Sequence, residues 1–129
     1  MKIEHIALWV KDLEKMTNFY VSYFAGVTND KYVNEAKGFE SYFISFESGS
    51  RLELMSKISI KESFKNIDDE YFGYAHMAFR LGSKEKVDKL TEQFKQDGYK
   101  IAGYPRTTGD GYYESCILDP EGNRVELME

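Results

Sequence analysis

Apolar residues follow two rhythms along this chain, and the same order of rhythms occurs twice. Residues 3–10 are rich in β-formers and read as a strand. From 13 to 24, Leu13, Met16, Phe19, Tyr20 and Phe24 fall on one helical stripe, with Asp12 as its cap and Gly26 as its stop. A short strand is expected at 27–33. Two stronger strands, 39–46 and 51–56, are joined by the turn-forming Glu47-Ser48-Gly49-Ser50. Residues 57–73 are charged and irregular, with one helical turn expected near 61–65, and read as a connector. The order then restarts. A strand at 74–81 leads to a helix capped by Ser83, with Val87, Leu90 and Phe94 at helical spacing and Gly98 as its stop. A short strand at 100–104 follows, then a hairpin of 112–118 and 123–128 across Asp119-Pro120-Glu121-Gly122.

Each half is thus β-α-β-β-β. The predicted class is α+β, one domain over 1–129 built from modules at about 1–56 and 74–129. A half of this size cannot bury its sheet face alone, so two such sheets are expected to curl toward each other and enclose a cleft.

Length and composition narrow the functional classes. The chain has 129 residues, 42% of them hydrophobic and 16% aromatic, enough for one real core. A net charge of −5, with no basic run, argues against a general nucleic-acid binder. No apolar run approaches the roughly 20 residues of a membrane span, and the N-terminus lacks a basic-then-apolar leader pattern. A cytoplasmic location is the expectation. Cys116 is the single cysteine, so no disulfide forms within the chain, and its apolar neighbours suggest a small core residue.

The repeat also carries chemistry. His5 precedes Glu53 by 48 positions and His76 precedes Glu126 by 50; these are the only two histidines. Strand alternation puts His5, Ala7 and Trp9 on one face, and Ile6, Leu8 and Val10 on the other. Arg51, Glu53 and Met55 likewise oppose Leu52 and Leu54. The second half repeats this with His76 and Ala78, and with Arg124, Glu126 and Met128 opposing Val125 and Leu127. A lone strand histidine or glutamate is ordinarily structural or solvated. Four of them, same-faced and repeat-related, suggest ligands. Two imidazoles and two carboxylates suit one borderline divalent ion per site, Zn²⁺ or Ni²⁺ foremost, with Co²⁺, Mn²⁺ or Fe²⁺ as alternatives. Glu126 and Glu53 are the candidate proton carriers. Trp9, Arg51, Met55, Tyr74, Tyr113 and Arg124 are candidate substrate contacts.

These features resemble the vicinal oxygen chelate superfamily, over essentially the whole chain, and its glyoxalase I-like branch in particular. The stretches that carry the resemblance are His-Ile-Ala-Leu-Trp-Val at 5–10, Asn18-Phe19-Tyr20, Leu-Glu-Leu at 52–54, Gly-Tyr-Ala-His-Met-Ala-Phe at 73–79 and Asp-Pro-Glu-Gly-Asn-Arg-Val-Glu-Leu at 119–127. The resemblance implies paired βαβββ modules around a divalent metal, commonly across a homodimer. It sets His5, Glu53, His76 and Glu126 on the four ligand positions of glyoxalase I. It implies a lyase or isomerase acting on a small α-hydroxy or α-oxo compound through a metal-stabilised enediolate. Two departures point away from a glutathione substrate. Trp9 stands where bacterial glyoxalase I has an arginine for a glutathione carboxylate, and Lys57 near an asparagine that aids that recognition. The Arg106-Thr107-Thr108-Gly109-Asp110-Gly111 loop also differs. The alternatives are an epimerase or group transferase on another small acid, or a bleomycin resistance-like module that sequesters a drug or metabolite.

Overall fold

Each half of the chain brings its last strand back beside its first. The computed structural model describes residues 1–63 and 66–129, which divide into two compact units, Met1–Ser63 and Phe64–Glu129. The helical turn expected near 61–65 lies partly outside the described residues. In the first unit β1 (His5–Trp9) leads into α1 (Leu13–Phe24) and then into β2 (Val27–Thr28) and β3 (Tyr32–Asn34). A 3-10 turn (Glu35–Lys37), β4 (Phe39–Ser45) and β5 (Arg51–Lys57) complete it. The sheet order is β1-β5-β4-β2, with β3 also paired to β4. The second unit runs β6 (His76–Arg80), α2 (Lys84–Gln96), β7 (Ile101–Thr107), β8 (Tyr113–Leu118) and β9 (Arg124–Met128), ordered β6-β9-β8-β7. In both sheets the first and last strands pair parallel and the other pairings are antiparallel. A parallel neighbour requires a crossover, which each unit supplies with its helix and intervening strands.

Each unit buries one sheet face under its helix. Leu13, Met16, Phe19 and Tyr20 of α1 are buried, as are Ile44, Leu52 and Leu54 of the sheet. In the second unit Val87 and Phe94 of α2 are fully buried, as are Ile117, Val125 and Leu127. A buried polar link joins helix to sheet there: Thr91 Oγ1 lies 2.6 Å from Ser115 Oγ and donates to the Val87 carbonyl. A buried hydroxyl pair is tolerated because each partner satisfies the other.

The helix ends differ from each other. Asp12 accepts from Lys15 N at 2.9 Å and Ser83 from Lys86 N at 3.3 Å, so both starts are capped as expected. Gly98 closes α2 in a full Schellman arrangement. Its N–H reaches the Lys95 carbonyl, the Tyr99 N–H reaches Phe94, and the Tyr99 and Phe94 rings meet edge-on at 5.6 Å. At the end of α1 the left-handed residue is Ala25 (φ 51°), not the expected Gly26. Gly26 is needed for space instead: a Cβ there would lie 2.5 Å from Ile44 Cγ2.

Two strand expectations change, each for a local reason. The single strand expected at 27–33 splits into β2 and β3, because the Asn29 side chain takes the ladder N–H of Phe43 at 2.8 Å. The strand expected to stop at Tyr104 runs on to Thr107, through Pro105. Proline is admissible there because β7 is an edge strand and its register shifts between Gly103 and Arg106.

The end of α1 yields a paired test. Ala25→Gly should stabilise the fold by about 0.5–1 kcal/mol, since alanine is strained at positive φ. Gly26→Ala should cost about 1–3 kcal/mol through overpacking against Ile44. Urea unfolding midpoints of the two variants beside the native chain measure both.

Candidate functional site

The parallel strand pairs carry the same chemistry in the same register. In the first unit His5 stands opposite Arg51, Ala7 opposite Glu53 and Trp9 opposite Met55. In the second, His76 stands opposite Arg124, Ala78 opposite Glu126 and Arg80 opposite Met128. Directly opposed residues share a face, so each histidine and its glutamate lie diagonally on one face, with a small alanine between them. His5 Nε2 is 3.7 Å from Glu53 Oε2, and His76 Nε2 is 3.1 Å from Glu126 Oε2. The histidine side chains are 40% and 42% exposed and the glutamates 15% and 18%, so the two pairs are sheltered alike. No group of three or more histidine, cysteine or acidic side chains placed to hold a metal ion occurs among the described residues, so each unit by itself offers one His–Glu pair.

The donor set suits a divalent ion. Metal–ligand bonds of about 2.1 Å at right angles put two donor atoms about 3.0 Å apart, and at a tetrahedral angle about 3.4 Å. The second pair meets the first value as it stands. The first pair needs only a small closure.

The neighbours of the two pairs have diverged. Glu53 is flanked across β4 by Phe43, whose ring meets His5 edge-on at 5.3 Å. Trp9 packs edge-on against Phe39 at 6.0 Å, and Tyr32 lies 6.0 Å from the same ring. An aromatic surface therefore extends beside His5 and Glu53. Glu126 is flanked across β8 by Cys116. Glu114 is in phase with Cys116, and Arg106 Nη2 lies 3.8 Å from Glu114. Cys116 is thus half-buried on the histidine–glutamate face, not in the core, because it alternates with the buried Ser115 and Ile117. Burial pushes its thiol pKa up, with the Glu126 charge adding to the effect. Burial likewise raises the Glu126 carboxyl above the usual carboxylate range; His76 opposes that shift and Glu114 adds to it.

The other candidate residues separate into groups. Trp9 and Met55 share the His5 face. Arg51 is held by Glu4, with its Nε 2.7 Å from a carboxylate oxygen, and lies 4.2 Å over the Phe43 ring. Arg124 reaches the Ile67 carbonyl at 3.3 Å and Glu70 at 3.7 Å. Tyr74 is exposed and precedes β6. Tyr113 belongs to the opposite face: it alternates in phase with Ser115 and Ile117, and its hydroxyl donates to Asp88 of α2 at 2.6 Å. That hydrogen bond to the carboxylate raises the phenol pKa. Sequence reasoning missed Glu4, whose carboxylate lies 2.5 Å from His5 Nδ1. The hydrogen bond to His5 is the largest cause of its lowered pKa, and Arg51 lowers it further. The only signal in the sequence was its adjacency to His5, and strict alternation would have turned it away.

The turn before β9 sets the position of Glu126. Asp119 is buried, and its carboxylate accepts from Glu121 N and Asn123 N, both at 2.9 Å, and from Asn123 Nδ2 at 2.8 Å. Gly122 supplies the positive φ of 85° that closes the turn. These bonds account for Asp119 and Asn123 in the run, and the positive φ accounts for Gly122.

Two β-α-β units, each with a His–Glu pair in the same register, define an α+β protein built on a duplicated sheet motif. The model of the Glyoxalase/Bleomycin resistance protein/Dioxygenase superfamily matches residues 2–127, and the chain belongs to that superfamily. It is 31% identical over 133 residues to the uncharacterized protein YqjT of Bacillus subtilis, covering 98% of this chain and 97% of the relative. The trypanothione-dependent glyoxalase I of Leishmania major matches all of this chain and 86% of its own, at 20% identity and a TM-score of 0.77. Glyoxalase I of Zea mays matches 98% of this chain at 23% identity and a TM-score of 0.77. This chain spans only 44% of the maize enzyme. The structural likenesses establish the glyoxalase/bleomycin resistance/dioxygenase fold.

The Asp119 cradle can be tested through stability. Asp119→Ala should cost about 2–3 kcal/mol, since it removes charged hydrogen bonds to three donors at once. Thermal unfolding of that variant beside Glu121→Ala, which keeps the carboxylate, separates the cradle from ordinary turn sensitivity.

Proposed function

We propose that the protein is a metal-dependent lyase or isomerase of glyoxalase I type, acting on a small α-hydroxy or α-oxo compound. The observation that carries this reading is the duplicated His–Glu pair, held in identical register on the same face of both sheets. His5, Glu53, His76 and Glu126 would hold one divalent ion, Zn²⁺ or Ni²⁺ first, with the pairs drawn from one chain or from two copies in a homodimer. When bound, such an ion supplies a Lewis acid that polarises a substrate oxygen and eases loss of the neighbouring proton. The residues do the rest. Glu126, with its raised pKa, is suited to accept that proton at a carboxylate oxygen. Glu53, beside Phe43 and Ala7, is the second carboxylate able to return it. Trp9, Phe39 and Tyr32 offer an apolar wall that favours a small or hydrophobic substrate over a glutathione adduct, whose carboxylates call for arginine.

That same aromatic surface favours the second reading, a module that binds and sequesters a small hydrophobic compound without chemistry. The experiment that separates them starts with metal analysis of protein purified without chelator. About one divalent ion per chain is expected, and His5→Ala or His76→Ala should weaken binding by more than about 100-fold, beyond what an outer-shell change costs. A screen of α-hydroxy and α-oxo compounds on the loaded protein follows, with Glu126→Gln expected to lower turnover about 10²–10⁴-fold. Ligand binding without turnover of any compound would favour sequestration. Light scattering of the native protein should report a dimer; a monomer would rule out sites shared between copies.

The glutathione–methylglyoxal hemithioacetal should be a poor substrate. A kcat/KM above ~10⁶ M⁻¹s⁻¹ on it would show that Trp9 does not exclude glutathione adducts.

A further inference from the structure

His5 and His76 occupy equivalent places, yet their outer ring nitrogens have different surroundings. Glu4 lies just before β1, outside the ladder, and is therefore free of the alternation that governs residues within it. Its backbone carbonyl accepts from Arg51 N at 3.0 Å, which ties this segment to the start of β5. Ser50 Oγ adds a second tie by donating to the Ile3 carbonyl at 2.7 Å. So anchored, the Glu4 carboxylate folds back onto the His5 face. One oxygen lies 2.5 Å from His5 Nδ1, and the other accepts from Arg51 Nε at 2.7 Å. Arg51 in turn covers Phe43 at 4.2 Å, and Phe43 meets the His5 ring edge-on at 5.3 Å. His5, Glu4, Arg51 and Phe43 close a ring of contacts around the imidazole.

The second unit lacks this ring. Ala75 stands where Glu4 does, and a methyl group accepts no hydrogen bond. Arg124, the counterpart of Arg51, turns to the Ile67 carbonyl and Glu70 instead. The same ligand pair is therefore supported in two different ways.

We propose that Glu4 is a positioning residue for His5, fixing its ring and its tautomer so that a bare Nε2 faces Glu53. The inference rests on the metal-binding reading for its purpose, though not for its geometry. A neutral imidazole carries one N–H, and a carboxylate paired with a guanidinium only accepts. The proton therefore belongs on Nδ1, and the Nε2 lone pair is left toward Glu53, 3.7 Å away. A carboxylate behind a ligating imidazole also raises its basicity as a donor. His5 thus enters the site oriented, and the two halves contribute unequally to holding an ion.

The test uses the full-length, metal-free protein and long-range ¹H–¹⁵N correlation of its two histidines, assigned by comparison with His76→Ala. His5 should be the Nδ1–H tautomer in the native protein. Glu4→Ala should shift His5 toward the Nε2–H form, while Glu4→Gln, whose amide oxygen still accepts, should keep it. His76 should not move in either variant. Calorimetric titration with Zn²⁺ should then show affinity about 10–100-fold weaker in Glu4→Ala and a smaller loss in Glu4→Gln. An unchanged His5 tautomer in Glu4→Ala overturns the proposal. So does a His76 change as large as that of His5, which would mark a general disturbance. If the tautomer shifts as described but native protein takes up no Zn²⁺, the positioning of His5 stands and the metal-binding reading fails.

Discussion

The parallel pairing of first and last strands, β1 with β5 and β6 with β9, is the constraint on which the rest depends. It sets His5 diagonal to Glu53 and His76 diagonal to Glu126, with Ala7 and Ala78 as the gaps between. The register is held from the opposite face. Leu52 and Leu54 are buried under α1, as Val125 and Leu127 are under α2. A slip of one residue would turn these leucines and valine to water and drive both glutamates into the core. The core that stabilises each unit therefore also positions its candidate ligands.

On this shared scaffold the two units have taken different surfaces. The first surrounds its pair with Phe43, Phe39, Trp9 and Tyr32, and neutralises Arg51 with Glu4. The second surrounds its pair with Cys116, Glu114 and Arg106. Duplication keeps what the parallel register requires and leaves the flanking strands free to vary. An aromatic wall binds by area, whereas a charged one binds by matched partners. The first surface is thus mainly apolar, and the second carries charged groups.

The turn and cap chemistry serves the same end. The Asp119 carboxylate gathers three donors and so launches β9 with Glu126 opposite Cys116. Gly98 ends α2 with paired backbone bonds and a ring contact, while α1 ends on a strained Ala25 and a Gly26 pressed against Ile44. The two units therefore end their helices differently while keeping the same parallel strand register.

Much of this was legible in the amino-acid order. Period-2 alternation assigned the faces of His5, Glu53, His76 and Glu126, and the 3.6-residue stripe located both helices. Both are local properties, decided by residues a few positions apart. What only the tertiary structure decided was set by partners distant in sequence. Pro105 sits inside a strand because β7 is an edge, which is a property of the whole sheet. Tyr113 turns to Asp88, and Cys116 to the Glu126 face, because helix and neighbouring strands fix which side of β8 is covered. Glu4 reaches His5 because it lies just outside the ladder and is anchored by Arg51, 47 positions later. Alternation names the face of a residue within a strand; it does not say which strands become neighbours, or where a side chain beyond the strand's end will fold back.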